Sequence, residues 1–306
     1  MKLILIFIPI LFISVIMQAV TLNDSIPPGK NFDKAAFRLW YPDDHKTING
    51  IIVLMPGSNG DGRGSADDLF WQEFGRKHNY ALLGCYFTDY VHDDMNIENY
   101  ADVKEGSGQA LLDVISLFAK KSGHAELANA PLLLWGHSAG GQYNYEFVCW
   151  KPERVIAFVV NKGGFYYTAL ADKQARNVPG IFFTGEKDME SRKDIIKGIF
   201  SVNRRAGALW AFAEEPGAGH EVGMTRKLAG IFFDEIIPLR THNIYFDKDN
   251  TAKLHTLSVE SGLIGDYKAK VISTFADGEK IDFPASWLPG VKTSEAWLSF
   301  IKNVPF

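Results

Sequence analysis

The sequence predicts an α/β protein: a mostly parallel, doubly wound sheet with helices on both faces, followed by a small β-rich appendage. Three observations carry that prediction. Short apolar runs alternate with amphipathic stretches from Ala36 to Leu239, the pattern of parallel strands joined by crossover helices. The run Gly50–Met55 is apolar throughout instead of at every second residue, as a strand buried on both faces should be. Beyond residue 240 the helical periodicity gives way to shorter strand-like runs and turn residues.

A chain of 306 residues can bury a large core, so one main domain with an appendage is expected. The net charge of −4, with no basic run, argues against nucleic acid as a partner, because phosphate binding needs clustered Lys and Arg. Residues 1–19 read as a secretory signal peptide. Lys2 gives the positive start, Leu3 to Met17 the apolar stretch, and Gln18-Ala19 the approach to a cleavage site. The competing reading is an uncleaved anchor, for which the apolar run is short. A secreted or periplasmic protein, free of the membrane after cleavage, is the expectation. Cys85 and Cys149 are the only cysteines, and both lie in apolar surroundings, which suggests free thiols over a disulfide. No spacing resembles a zinc site.

In order, Ala36–Tyr41 is the first predicted strand and Gly50–Met55 the second. A glycine-rich loop, Pro56 to Gly64, leads to an amphipathic helix from Asp67 to His78. Tyr80–Phe87 is a strand, Thr88–Asn99 a polar loop, and Val103–Lys121 a helix with Leu111, Leu112, Ile115 and Phe118 on one stripe. Leu132–Trp135 is a short buried strand, Gln142–Trp150 a helix, and Val155–Val160 a strand with the exit loop Asn161 to Gly164. Strands Val178–Thr184 and Leu209–Ala213 follow, each with its helix, Asp194–Arg205 and Val222–Leu239. In the appendage, Lys253–Val259, Tyr267–Phe275 and Lys280–Phe283 are the expected strands, with a turn at Ala276-Asp277-Gly278 and a closing helix over Ala296–Ile301.

The chemistry centres on Gly136-His137-Ser138-Ala139-Gly140, set between the strand at 132–135 and the helix that follows. A Gly-x-Ser-x-Gly in that setting makes a nucleophile elbow. Ser138 must occupy a tight, strained turn so that its hydroxyl stands clear of the sheet, and side chains at 136 and 140 would collide with neighbouring elements. The bland reading of Ser138 is a helix N-cap. Partners in the right order argue for the functional one.

A serine hydroxyl needs a base within hydrogen-bond reach, and the base needs an orienting carboxylate. His220 is the best candidate base, in the flexible loop Pro216-Gly217-Ala218-Gly219-His220 after a strand. His92 is the reserve, while His78 and His124 lie in or at helices. Asp188, after the strand ending near Thr184, is the best acid, with Glu186 and Glu190 as alternatives in the same loop. Oxyanion donors are expected from the amide of Ala139, at a helix N-terminus, and from that of Ser58, with Asn59 second. Lys162 and the aromatics Tyr86, Phe87, Tyr90, Phe165, Tyr166 and Tyr167 are candidates for substrate contact, although a solvated lysine and ordinary core or rim aromatics are the simpler readings.

These residues resemble the α/β-hydrolase superfamily over about residues 36–239. Gly136 to Gly140, Gly185-Glu186-Lys187-Asp188 and Gly219-His220 stand as the family's nucleophile, acid and base motifs. Pro56-Gly57-Ser58 stands where such enzymes often carry His-Gly-x. Within the superfamily the chain is similar to secreted esterases of the polyhydroxybutyrate-depolymerase and feruloyl-esterase kind, and to dienelactone-hydrolase-like proteins. The resemblance implies a catalytic domain over 20–239, an appendage over 240–306, and hydrolysis of a small-molecule or polymer-linked ester without metal or organic cofactor. A prolyl-oligopeptidase-like peptidase and a catalytically inactive binding protein on the same fold are the alternatives.

Overall fold

The structure, a computed structural model, describes residues 19–43, 47–93, 97–243, 252–278 and 285–306. Among the described residues eight strands make the main sheet: β1 (Ala19–Ile26), β2 (Lys34–Pro42), β3 (Gly50–Met55), β4 (Tyr80–Thr88), β5 (Leu132–His137), β6 (Val155–Asn161), β7 (Gly180–Gly185) and β8 (Trp210–Glu215). They lie in the order β1-β2-β4-β3-β5-β6-β7-β8. From β4 to β8 every neighbouring pair is parallel, while β1, β2 and β4 pair antiparallel.

The uniform apolarity of the central strands is used on both faces. In β3, Ile51, Val53 and Met55 enter one core layer, and Ile52 and Leu54 enter the other. In β5, Leu132 and Leu134 divide from Leu133 and Trp135 in the same way. Successive Cβ atoms alternate across a strand, so only an all-apolar segment serves two layers. The helices α2 (Ser107–Ser122), α3 (Ala139–Trp150) and α5 (Glu190–Arg205) place Leu111, Tyr143 and Phe200 in the first layer. On the opposite face α1 (Leu69–His78) and α6 (Thr225–Thr241) bring Trp71 and Phe232. A single turn, α4 (Lys173–Arg176), precedes β7.

The helices begin where their caps allow. Asp68 caps α1 by accepting from the Phe70 amide at 2.9 Å, so the helix starts two residues after the predicted Asp67. The stretch predicted as one helix from Val103 is split: a short turn over Val103–Glu105 ends at Gly106, whose φ of 141° no helix adopts, and α2 starts after it.

Strand β1 was not expected. Its residues alternate, with Val20, Leu22 and Ile26 packed against the core and Ala19, Thr21, Asn23 and Ser25 exposed. That is the pattern of a half-buried edge strand, hidden in the sequence by its polar face. The signal segment read over 1–19 lies outside the described residues except for Ala19, the first residue of β1.

The appendage has a different layout from the expected one. A three-stranded antiparallel sheet has the order β10-β9-β11, from β9 (Leu263–Asp266), β10 (Val271–Thr274) and β11 (Ser286–Leu288). Of the predicted strand Lys253–Val259, residues 253–258 belong to no strand among the described residues. Backbone there is held by Arg240, whose guanidinium bonds the His255 carbonyl at 3.1 Å and the Ile156 carbonyl at 3.2 Å. Only 271–274 of the predicted strand Tyr267–Phe275 is extended. The turn expected at Ala276 is a helical turn, α7 (Phe275–Gly278). The strand predicted at 280–283 lies outside the described residues. The last helix, α8 (Val291–Ile301), starts five residues before the prediction.

This segment also completes the main core. Trp287 and Trp297 are fully buried in the same layer as α1 and α6. The Trp297 indole donates to the Phe212 carbonyl at 2.7 Å, and the Ser286 hydroxyl accepts from the Phe212 amide at 2.9 Å. Both bonds occupy β8 groups on the open edge of the sheet, which would otherwise invite pairing with another chain.

Candidate active site

The carboxyl ends of β5, β7 and β8 supply the site. Ser138 sits between β5 and α3 at φ 54° and ψ −123°, outside the regions side-chain-bearing residues favour. Such backbone costs on the order of 1–3 kcal/mol and persists only when its surroundings enforce it. They do so here by close packing. A Cβ on Gly136 would lie 2.2 Å from the Gly140 carbonyl oxygen, and one on Gly140 would lie 2.3 Å from the Met55 carbonyl oxygen. The Ser138 amide donates to the Asn161 carbonyl at 2.8 Å, fixing the turn to the exit of β6.

The structure brings Ser138, His220 and Asp188 together. Nε2 of His220 is 2.9 Å from Ser138 Oγ, and Nδ1 of His220 is 2.9 Å from Asp188 Oδ2. The Asp188 carboxylate is almost fully buried, while the imidazole is 35% exposed and so reachable from solvent. Burial pushes the Asp188 acid up, but its bonds to His220, to the Met189 amide (2.7 Å) and to Arg192 (2.6 Å) outweigh that and hold it below the usual carboxylate range. It is therefore an anion facing Nδ1.

The other candidates lie elsewhere. Glu186 accepts from the Gly217 amide at 2.6 Å and so braces the base loop, and Glu190 pairs with Lys193. His92 bonds Asp89 at 3.0 Å, and His78 bonds Asp234. His137 lies beside the base, its ring centroid 5.1 Å from that of His220. Cys85 and Cys149 are free thiols, the first fully buried and the second partly so. Among the described residues no group of three or more His, Cys, Asp or Glu could hold a metal ion, and no helix is long and apolar enough to cross a membrane.

Ala139 is the first residue of α3, where an amide has no acceptor within the helix. The loop after β3 comes close: a Cβ on Gly57 would be 3.5 Å from that of Ser138. The Asn59 amide is occupied by the Tyr100 hydroxyl at 3.4 Å, which leaves Ser58 as the better placed of the two predicted donors. Beside Ser58 opens a cleft of about 450 Å³ lined by Tyr86, Asp89, Tyr90 and Glu98. Phe165 and Tyr167 are exposed on the loop after β6. Phe87 does not join them, being core, and Tyr166 turns its hydroxyl inward.

Lys162 corrects the sequence reading. It is neither solvated nor free to meet a substrate: its side chain is fully buried and its ammonium bonds Glu215 at 2.8 Å. Arg192 was missed. Its position four residues after Asp188, on the first turn of α5, is the spacing at which an acid and a base meet on a helix, and that was the signal available.

A doubly wound sheet of this strand order, with a strained serine at the β5–α3 turn and its partners after β7 and β8, decides the architecture. The fold is that of the α/β hydrolases. No family model and no curated protein matches the chain. Among solved structures it is similar to a ferulic acid esterase, at 12% identity over 70% of this chain and 97% of that one, with a TM-score of 0.50. A poly(3-hydroxybutyrate) depolymerase, LpqC from Bordetella parapertussis, is similar at 16% identity over 71% and 90% of the two chains, with a TM-score of 0.49. A putative dienelactone hydrolase from Klebsiella pneumoniae is similar at 16% identity over 69% and 90%, with a TM-score of 0.46. At these identities the likeness is one of fold.

Proposed function

We propose that the protein is a serine hydrolase that cleaves carboxylic esters through an acyl-enzyme. The observation that carries this reading is the unbroken chain Ser138–His220–Asp188, with both contacts at 2.9 Å. His220 takes the Ser138 proton as the hydroxyl attacks the ester carbonyl. Asp188, ionised and buried, keeps the proton on Nδ1 and stabilises the imidazolium that forms. The amides of Ala139 and Ser58 receive the oxyanion. The tetrahedral species collapses, the alcohol leaves with the proton from His220, and water then repeats the sequence on the acyl-enzyme. No metal or cofactor is needed for these steps. The cleft beside Ser58 gives the substrate a tyrosine-lined approach, suited to a small or a polymer-linked ester. The ferulic acid esterase of similar fold is a precedent for ester cleavage on this scaffold. The apolar segment at 3–17 supports export to the periplasm or the medium.

The test is labelling by a fluorophosphonate and turnover of short p-nitrophenyl esters, for the native protein and for Ser138→Ala. Both signals should vanish in the variant while circular dichroism is unchanged. Retained turnover refutes the nucleophile. Failure of folded native protein to label would make it a binding protein on a hydrolase fold, and cleavage of amide but not ester reporters would make it a peptidase. A panel of acetyl, feruloyl and polyester substrates then sets the ester class.

A further inference from the structure

The exit of β6 touches both halves of the candidate machinery. On one side the Asn161 carbonyl accepts from the amide of Ser138 at 2.8 Å. On the other, Asn161 Nδ2 donates to the Val222 carbonyl at 3.1 Å, and the Lys162 ammonium donates to the Glu221 carbonyl at 2.5 Å. Glu221 and Val222 are the two residues after His220. The same ammonium holds Glu215, five residues before His220, whose other oxygen accepts from the Met224 amide at 2.6 Å. The base loop is thus gripped on each flank of the histidine from one dipeptide.

The local structure is built for that grip. Lys162 has φ 56°, an unusual conformation for a residue with a side chain, and its amide donates to the Phe183 carbonyl of β7 at 3.0 Å. Neither Asn161 nor Lys162 has any exposed surface. A fully buried lysine is rare and is retained only where it is paired and bonded. A buried ion pair of this kind is weak evidence for stability, because desolvation of the two charges offsets their attraction. Its geometry, by contrast, is narrowly fixed.

We infer that Asn161 and Lys162 are positioning residues for His220: they tie the base loop to the backbone of the nucleophile and so set the distance between imidazole and hydroxyl. Neither touches substrate. This rests on the triad reading above. Displacement of a reacting group by about 1 Å can cost on the order of a hundredfold in rate, and that is the loss expected when the Lys162 grip is removed.

The experiment compares Lys162→Met, Lys162→Met/Glu215→Met and His220→Ala with the native enzyme, on short esters at saturating and limiting concentration, alongside thermal midpoints. Lys162→Met should lose about a hundredfold in kcat with little change in KM, and should also be less stable, because Glu215 is left buried and unpaired. The double variant removes both charges, so its midpoint should return toward the native one. Its kcat should stay low, because nothing then holds the Glu221 carbonyl. Recovery of kcat together with the midpoint overturns the positioning role and leaves a structural ion pair. Native kcat in Lys162→Met overturns it as well, provided His220→Ala is inactive. Full turnover by His220→Ala overturns the triad reading itself, and the positioning role with it. If Lys162→Met fails to fold, the double variant decides alone.

Discussion

Acidification should act on this fold through His137. Burial pushes its imidazole down to about 4 from an ordinary 6.5, and the neighbouring His220 and Lys162 add to the effect. The Asn161 carbonyl and Asp188 favour the cation but do not prevail. In the folded chain the ring therefore stays neutral between pH 6.5 and about 4, while in the unfolded chain it takes up a proton. The unfolded state binds more protons across that window, so stability rises with pH there and is lost on acidification. At about 1.4 kcal/mol per pH unit, the gap is worth about 3 kcal/mol. For a chain of 306 residues, with about 2.1 cal/mol/K of unfolding entropy per residue, that is a fall of about 5 °C in thermal midpoint. The assay is the midpoint measured from pH 7.5 to 4 for the native protein and for His137→Phe, which keeps a ring and removes the titration. Its Nδ1 is buried without a hydrogen bond, so no bond at that atom is lost. The native curve should drop away from that of the variant below pH 6.5. Parallel curves would refute the reasoning, since they would mean that the His137 proton is bound equally in both states.

Asp188→Asn should lower kcat by about 10³–10⁴-fold without unfolding the protein, because an amide presents the wrong tautomer to Nδ1; steady-state kinetics with circular dichroism checks this, and near-native kcat would point to another acid. Ser58→Ala should keep kcat, whereas Ser58→Pro, which deletes the amide, should lose about 10²–10³-fold; equal rates in the two variants would remove Ser58 from the oxyanion site. Trp297→Ala should destabilise by about 3–5 kcal/mol through the cavity left by a fully buried indole, with activity per folded molecule preserved; chemical denaturation measures it, and a change below 1 kcal/mol would mean that the C-terminal helix is not part of the core.

Much of this was legible in the chain itself. Apolar runs such as Gly50–Met55 and Leu132–Trp135 announced two-sided strands, because they are short and bounded by glycine and proline. The two glycines around His137 and Ser138 marked the turn, for a steric reason that needs no coordinates to state. The strand-end rule put Ser138, Asp188 and His220 in loops at one rim of the sheet, and their order is the one the resemblance to the α/β hydrolases implies. What periodicity could not convey was anything resting on long-range pairing. β1 exists because β2 lies beside it, and its polar outer face hid it. The stretch at 253–258 has strand composition, but a guanidinium meets its backbone at His255. Lys162 looks like a surface lysine until Glu215, fifty-three positions later, is folded against it. A sequence records which groups can ionise, pack or turn; which of them meet, and how closely water is kept from them, is decided only when distant segments share one volume.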